Sequence, residues 1–114
     1  MVHESEQDVA DAVEQWLTDN FDRVRRNHRF AESERVVDFL ANAGPFALAV
    51  EVEGEATSVL NGAGQAAAYG NMATREFRGR GVAFPVLAVP EGHIDDPERL
   101  AIENMGVGVW EVEA

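Results

Sequence analysis

The chain has 114 residues, 21 acidic side chains against nine basic ones, a net charge of −12 and no cysteine. That length predicts one domain over 1–114 with a core of its own, and the missing cysteines exclude disulfides and thiolate metal sites. No apolar run approaches the roughly 20 residues of a membrane span, and Met1-Val-His-Glu-Ser5 is not a signal peptide, so a cytoplasmic protein without a membrane partner is expected.

In chain order, Ser5 to about Val24 reads as a helix. Ser5 and Asp8 resemble a capping box, and Val9, Val13, Trp16, Leu17 and Phe21 form an apolar stripe. Arg23 to Phe30 alternates weakly and suits an edge strand. Arg35 to Leu40 is a second strand, Ala41 to Pro45 a turn, and Phe46 to Glu53 a third strand, apolar from Phe46 to Val50 as in a strand covered on both faces. Gly54 to Gly64 reads as a turn-rich connection and Gln65 to Met72 as an Ala-rich helix, followed by an Arg/Gly loop from Thr74 to Gly81. Val82 to Val89 is another buried strand. Asp95 or Asp96 caps a short helix opened by Pro97, and Val107 to Val112 is the last strand. A strand leading through a helix to another buried strand implies a parallel crossover. The fold class is therefore α/β, with a mixed central sheet flanked by helices. Trp16 and Trp110 fall in apolar periodic segments and are assigned to the core, as is Tyr69.

All nine basic residues are Arg. An acid-rich, Lys-free chain resembles proteins of salt-in halophilic archaea or their viruses, where a screening length of about 3 Å makes the net charge tolerable. Such a charge argues against nucleic acid, but the arginines are unevenly placed. Arg23, Arg25, Arg26, Arg29 and Arg35 form one group and Arg75, Arg78 and Arg80 another, so they offer phosphate contacts, with Arg26, Arg29, Arg35, Arg75, Arg78 and Arg80 the candidates. Pairing with Asp22, Glu32, Glu34 and Glu76 is the competing role.

The chemistry-bearing residues lie between those groups. Glu51 and Glu53 share a strand face at i and i+2, and an antiparallel hairpin brings Asp38 to the same place. Three carboxylates beside an apolar core repel one another unless a proton or cation relieves them, which points to a divalent ion with oxygen ligands. His3, His28 and His93 have no zinc-ligand spacing, and Gly62-Ala-Gly64 is not a phosphate loop.

Arg35-Val-Val-Asp38-Phe-Leu, Phe46-Ala-Leu-Ala-Val-Glu51-Val-Glu53-Gly, Gly64-Gln65-Ala-Ala-Ala-Tyr69, Pro85-Val-Leu-Ala-Val-Pro90 and Gly106-Val-Gly-Val-Trp110, in that order, resemble the PD-(D/E)XK nuclease superfamily, with its restriction-endonuclease-like αβββαβ core. The resemblance implies Mg²⁺ (or Mn²⁺) held by Asp38 and Glu51 with the Val52 carbonyl, completed by Glu6 or alternatively Glu14 from the first helix. It implies Gln65 near the site, DNA as the partner, and a homodimer or partner protein for cutting both strands. The family's Lys is Glu53 here. As an acid Glu53 suits a general base, yet its presence also fits a degenerate relative acting as a binding or assembly module.

Overall fold

Val9, Val13 and Leu17 lie one above another on a helix and are each completely buried, which fixes the packing of the first element. The structure is a computed structural model and describes residues 6–31, 33–54 and 59–113. Its elements are α1 (Glu6–Asn20), β1 (Arg23–Arg29), β2 (Val36–Ala43), β3 (Phe46–Val52), α2 (Val59–Glu76), β4 (Val82–Pro90), α3 (Asp96–Asn104) and β5 (Gly108–Val112).

The five strands lie in chain order, β1-β2-β3-β4-β5. β1, β2 and β3 are antiparallel neighbours, while β4 and β5 run parallel to β3. This is the mixed sheet that the sequence predicts. Alternation along the strands divides the core between its two faces. On one face α1 covers Phe39, Ala41, Val50, Val52, Ala88 and Val112. On the other, α2 covers Val37, Leu40, Ala47 and Ala49, and α2 and α3 together enclose Leu87, Val89, Ile102 and Val107. Two successive crossovers stepping in the same direction across the sheet put both connecting helices on one side. β1 is an edge strand, and its row of arginines is a polar rim that discourages pairing with another sheet.

One irregularity sets up the site. Val37 packs under α2 but Phe39 packs under α1, although residues two apart in a regular strand share a face. The switch happens at Asp38. The β1 residue facing it, Asn27, has φ 55°, and the regular partners resume at Arg26↔Phe39 and His28↔Val37. Asn is among the few residues that take this left-handed conformation readily.

Several boundaries differ from the sequence reading. The turn of the hairpin is only Gly44-Pro45, with Ala43 paired to Phe46 and Gly44 at φ 64°. α1 stops at Asn20, whose side chain donates to the Trp16 carbonyl. Ser5 and its capping role lie outside the described residues. The Gly54 to Gly64 connection is the largest correction: α2 already begins at Val59 and runs on to Glu76. Asn61, Gly62 and Gly64 read as turn formers, but Val59, Ala63 and Ala66 bury against Leu87 and Val89, and that burial outweighs the local preference. Trp16 is not core. It is 48 % exposed and stacks edge-on with Trp110, ring centroids 5.1 Å apart. Phe46, placed in a doubly covered strand, is exposed and stacks on Phe84, because α1 does not reach the hairpin end of its face. Tyr69 packs as expected, against Phe30. The last helix is capped by Asp95 in a capping box with Glu98.

Candidate functional site

Regular pairing of β2 with β3 runs from Ala43↔Phe46 to Phe39↔Val50. Beyond that point two carboxylates carry the connection. The Asp38 N–H donates to Glu51 Oε1 at 3.0 Å, and the Val52 N–H donates to Asp38 Oδ2 at 2.8 Å. Each acid therefore satisfies a backbone donor of the opposite strand. Oδ1 of Asp38 and Oε2 of Glu51 stay outside these bonds.

The electrostatics are unfavourable for two ionised acids. Among the described residues Glu51 is the one buried charged side chain, 6 % exposed, and none of them forms an ion pair with it. Burial, then the neighbouring Asp38 charge, and more weakly Glu53 and Glu6, push its carboxyl from 4.5 up to about 8, against the favourable Asp38 N–H bond. Burial also raises Asp38; the Val52 N–H bond and the Arg26 charge oppose the rise, while the Glu6 charge adds to it.

Glu6, Asp38 and Val52 line one cavity of about 350 Å³ on the α1 side, together with Arg26 and Asn27. The start of α1 is close to the end of β3: a Cβ on Gly54 would lie 3.2 Å from the Glu6 backbone nitrogen. Of the two helix acids implied by the resemblance, the structure brings Glu6 to the site. Glu14 instead pairs with Arg26 at 3.0 Å. Glu53 follows Glu51 toward the α2 face and lies against Gly62, where an added Cβ would sit 2.7 Å from Glu53 Oε1. Gly62 therefore makes room for an acid. Gln65, one turn further on, is exposed on α2 and is not joined to the carboxylates by any hydrogen bond among the described residues.

Among the described residues no group of three or more His, Asp or Glu side chains is arranged to hold a metal ion. The donor set still suits a hard cation. Mg²⁺ is commonly held by one or two carboxylates while retaining several waters, and a positive charge would relieve both raised carboxyls. The Val52 contribution seen is its N–H rather than its carbonyl.

The arginines divide. Arg26 is on the α1 side, bound to Glu14, 3.6 Å from Asp11 and over the Phe39 ring. Arg29 pairs with the highly exposed Glu34. Arg35 and Arg80 are exposed. Arg75 and Arg78 meet Arg29 in a cleft on the α2 side, which also contains Arg25. Sequence reasoning missed Arg25 there, as well as the close approach of Gly62 and the turn at Asn27. Only the Asn27 turn had a local signal, in the tolerance of Asn for positive φ.

Compared with family models, curated proteins and solved structures, the chain matches none.

Proposed function

We propose that this domain is a divalent-cation-dependent phosphodiesterase of the PD-(D/E)XK type, hydrolysing DNA at the Asp38–Glu51 pair. The observation that supports this most is Glu51, a buried carboxyl with its pKa raised to about 8, joined across the strand gap to Asp38. A fold that places an unpaired acid in its interior bears a cost that a bound cation offsets. Asp38 and Glu51 would hold Mg²⁺ or Mn²⁺, with Glu6 beside them. When bound, such an ion activates water and neutralises charge on the phosphate. The backbone bonds of Asp38 and Glu51 fix both carboxylates before any ligand arrives. Glu53, held between β3 and Gly62, is the candidate general base, taking the proton of the attacking water.

The second reading is a binding or assembly module on the same fold. It is favoured by Glu53 standing where the family has Lys, because no ammonium is then present to polarise the phosphate. Cleavage of labelled linear and circular DNA in molar KCl, with Mg²⁺, Mn²⁺ or chelator, separates the two. Divalent-dependent cleavage lost in Glu51→Gln supports the enzyme. Divalent binding without cleavage supports the module, and neither binding nor cleavage removes the metal site altogether.

A further inference from the structure

The cleft of about 600 Å³ between β1 and the C-terminal end of α2 is built from both arginine groups. Arg25 and Arg29 come from the edge strand, and Arg75 and Arg78 from the helix end, some fifty residues later in the chain. Arg25 and Arg26 are successive strand residues on opposite faces. Arg26 joins α1, so Arg25 projects on the side of α2. The cleft and the cavity at Asp38 thus lie on opposite sides of the sheet.

We propose that this cleft is a phosphate-binding site, separate from the carboxylate pair, which takes the phosphodiester backbone of nucleic acid or a free polyphosphate. Four arginines line it, Arg29 being paired with Glu34, and Glu76, the one acid among the described lining residues, is already engaged: Oε1 is 2.8 Å from His28 Nε2 and Oε2 accepts the Ala31 N–H at 2.7 Å. Among the described residues no acid pairs with Arg25, Arg75 or Arg78. Arg23, Arg35 and Arg80 likewise pair with no described acid, but only here do such cations converge from two distant segments in one concavity, which in a chain of net charge −12 a bound anion explains. Stabilising the helix C-terminus accounts for Arg75 and Arg78, but not for Arg25 on β1. Arg78 is moreover held at φ 52°, a left-handed conformation unusual for a side chain of its size, just before Gly79 at φ 83°. The lining points to phosphate rather than to bases. Phe30 is buried and the His28 side chain is only 12 % exposed, so neither ring offers a broad platform for stacking.

The test is fluorescence anisotropy of a labelled oligothymidylate over a series of KCl concentrations, with chelator present so that the carboxylate pair plays no part. Wild type should bind with a falling log–log salt dependence. Arg75→Gln/Arg78→Gln should weaken binding at least about tenfold and reduce the slope by roughly 1.4, two contacts at about 0.7 each. Arg25→Gln, which leaves the helix end untouched, should weaken it in the same direction. Arg23→Gln, outside the cleft, should not. Displacement of the oligonucleotide by pyrophosphate, with matching losses in the variants, assigns the site to free polyphosphate. Variant-sensitive binding that pyrophosphate cannot displace assigns it to the nucleic-acid backbone. Absence of binding, variants that bind like wild type, or an equal loss in Arg23→Gln overturns the proposal. Because no divalent ion is present, these outcomes leave the phosphodiesterase reading to its own assay.

Discussion

Replacing Glu51 with Gln removes a carboxyl that the fold keeps protonated up to about pH 8, whereas an unfolded chain releases that proton near 4.5. Between those values the unfolded state has lost the proton and the folded state has not. Raising the pH by one unit in this window therefore costs the folded wild type about 1.4 kcal/mol relative to the unfolded chain. Over the whole window, from 4.5 to about 8, the penalty approaches about 5 kcal/mol. Relaxation of the splayed strands and water entry reduce it, and about 2–3 kcal/mol is the effect expected in solution. Gln keeps a carbonyl oxygen to accept the Asp38 N–H and has no proton to lose. Without metal, the variant should match wild type near pH 4.5 and pull ahead as the pH rises. At pH 8 its melting temperature should be about 10 °C higher, taking about 4 °C per kcal/mol for a domain of this size. Thermal melts from pH 4.5 to 9 in molar KCl with chelator measure the difference directly. Adding Mg²⁺ at pH 8 should then raise the wild-type melting temperature and leave the variant's unchanged. Melting curves of the two proteins that run parallel across the whole pH range would refute the buried-acid argument, and the metal site with it.

Asp38→Asn should weaken Mg²⁺ binding by tenfold or more in calorimetric titration while leaving the metal-free protein as stable or slightly more so, since an Asn carbonyl still accepts the Val52 N–H and the Asp38 charge that opposes ionisation of Glu51 is gone; a strongly destabilised metal-free variant would make Asp38 a structural partner instead. Glu53→Gln should lower Mg²⁺-dependent cleavage by about a hundredfold to ten-thousandfold under the proposed base role, and Glu53→Lys, the residue usual at that place in the nucleases the chain resembles, should retain or raise cleavage; undiminished cleavage by the Gln variant removes that role. Gly62→Ala and Gly70→Ala form a contrasting pair in urea unfolding and cleavage. The Cβ at 62 meets the movable end of Glu53, so stability should hold within about 1 kcal/mol while cleavage falls. The Cβ at 70 meets the Pro85 ring at 2.9 Å, and overpacking of about 1–3 kcal/mol should exceed the helix gain.

The elements that local chemistry governs were legible in the sequence. The stripe of Val9, Val13 and Leu17, the apolar run from Ala47 to Val50 and a helix cap at Asp95 or Asp96 each carry a period or a capping pattern that one stretch of chain specifies, although the choice of Asp95 with Glu98 came from the structure. The mixed sheet with a parallel crossover followed from the alternation of strands and helices, and the nearness of Asp38 to Glu51 followed from hairpin arithmetic. The start of α2 was not legible, because Asn61, Gly62 and Gly64 are turn formers in isolation and become helical only where Ala63 and Ala66 find Leu87 and Val89. Nor was the exposure of Trp16, which depends on how far α1 extends over its sheet face. The geometry of the candidate site came from tertiary structure in three places. The face switch at Asp38 needs Asn27 on the neighbouring strand, the choice of Glu6 over Glu14 was decided by where Arg26 points, and the seat of Glu53 exists only because α2 crosses the end of β3 at a glycine. The arginine cleft is the clearest case. The sequence shows two basic groups separated by the whole carboxylate hairpin, and only the packing of the α2 end beside β1 makes them one surface. Period and capping are properties of neighbours along the chain, whereas charge convergence is a property of neighbours in space.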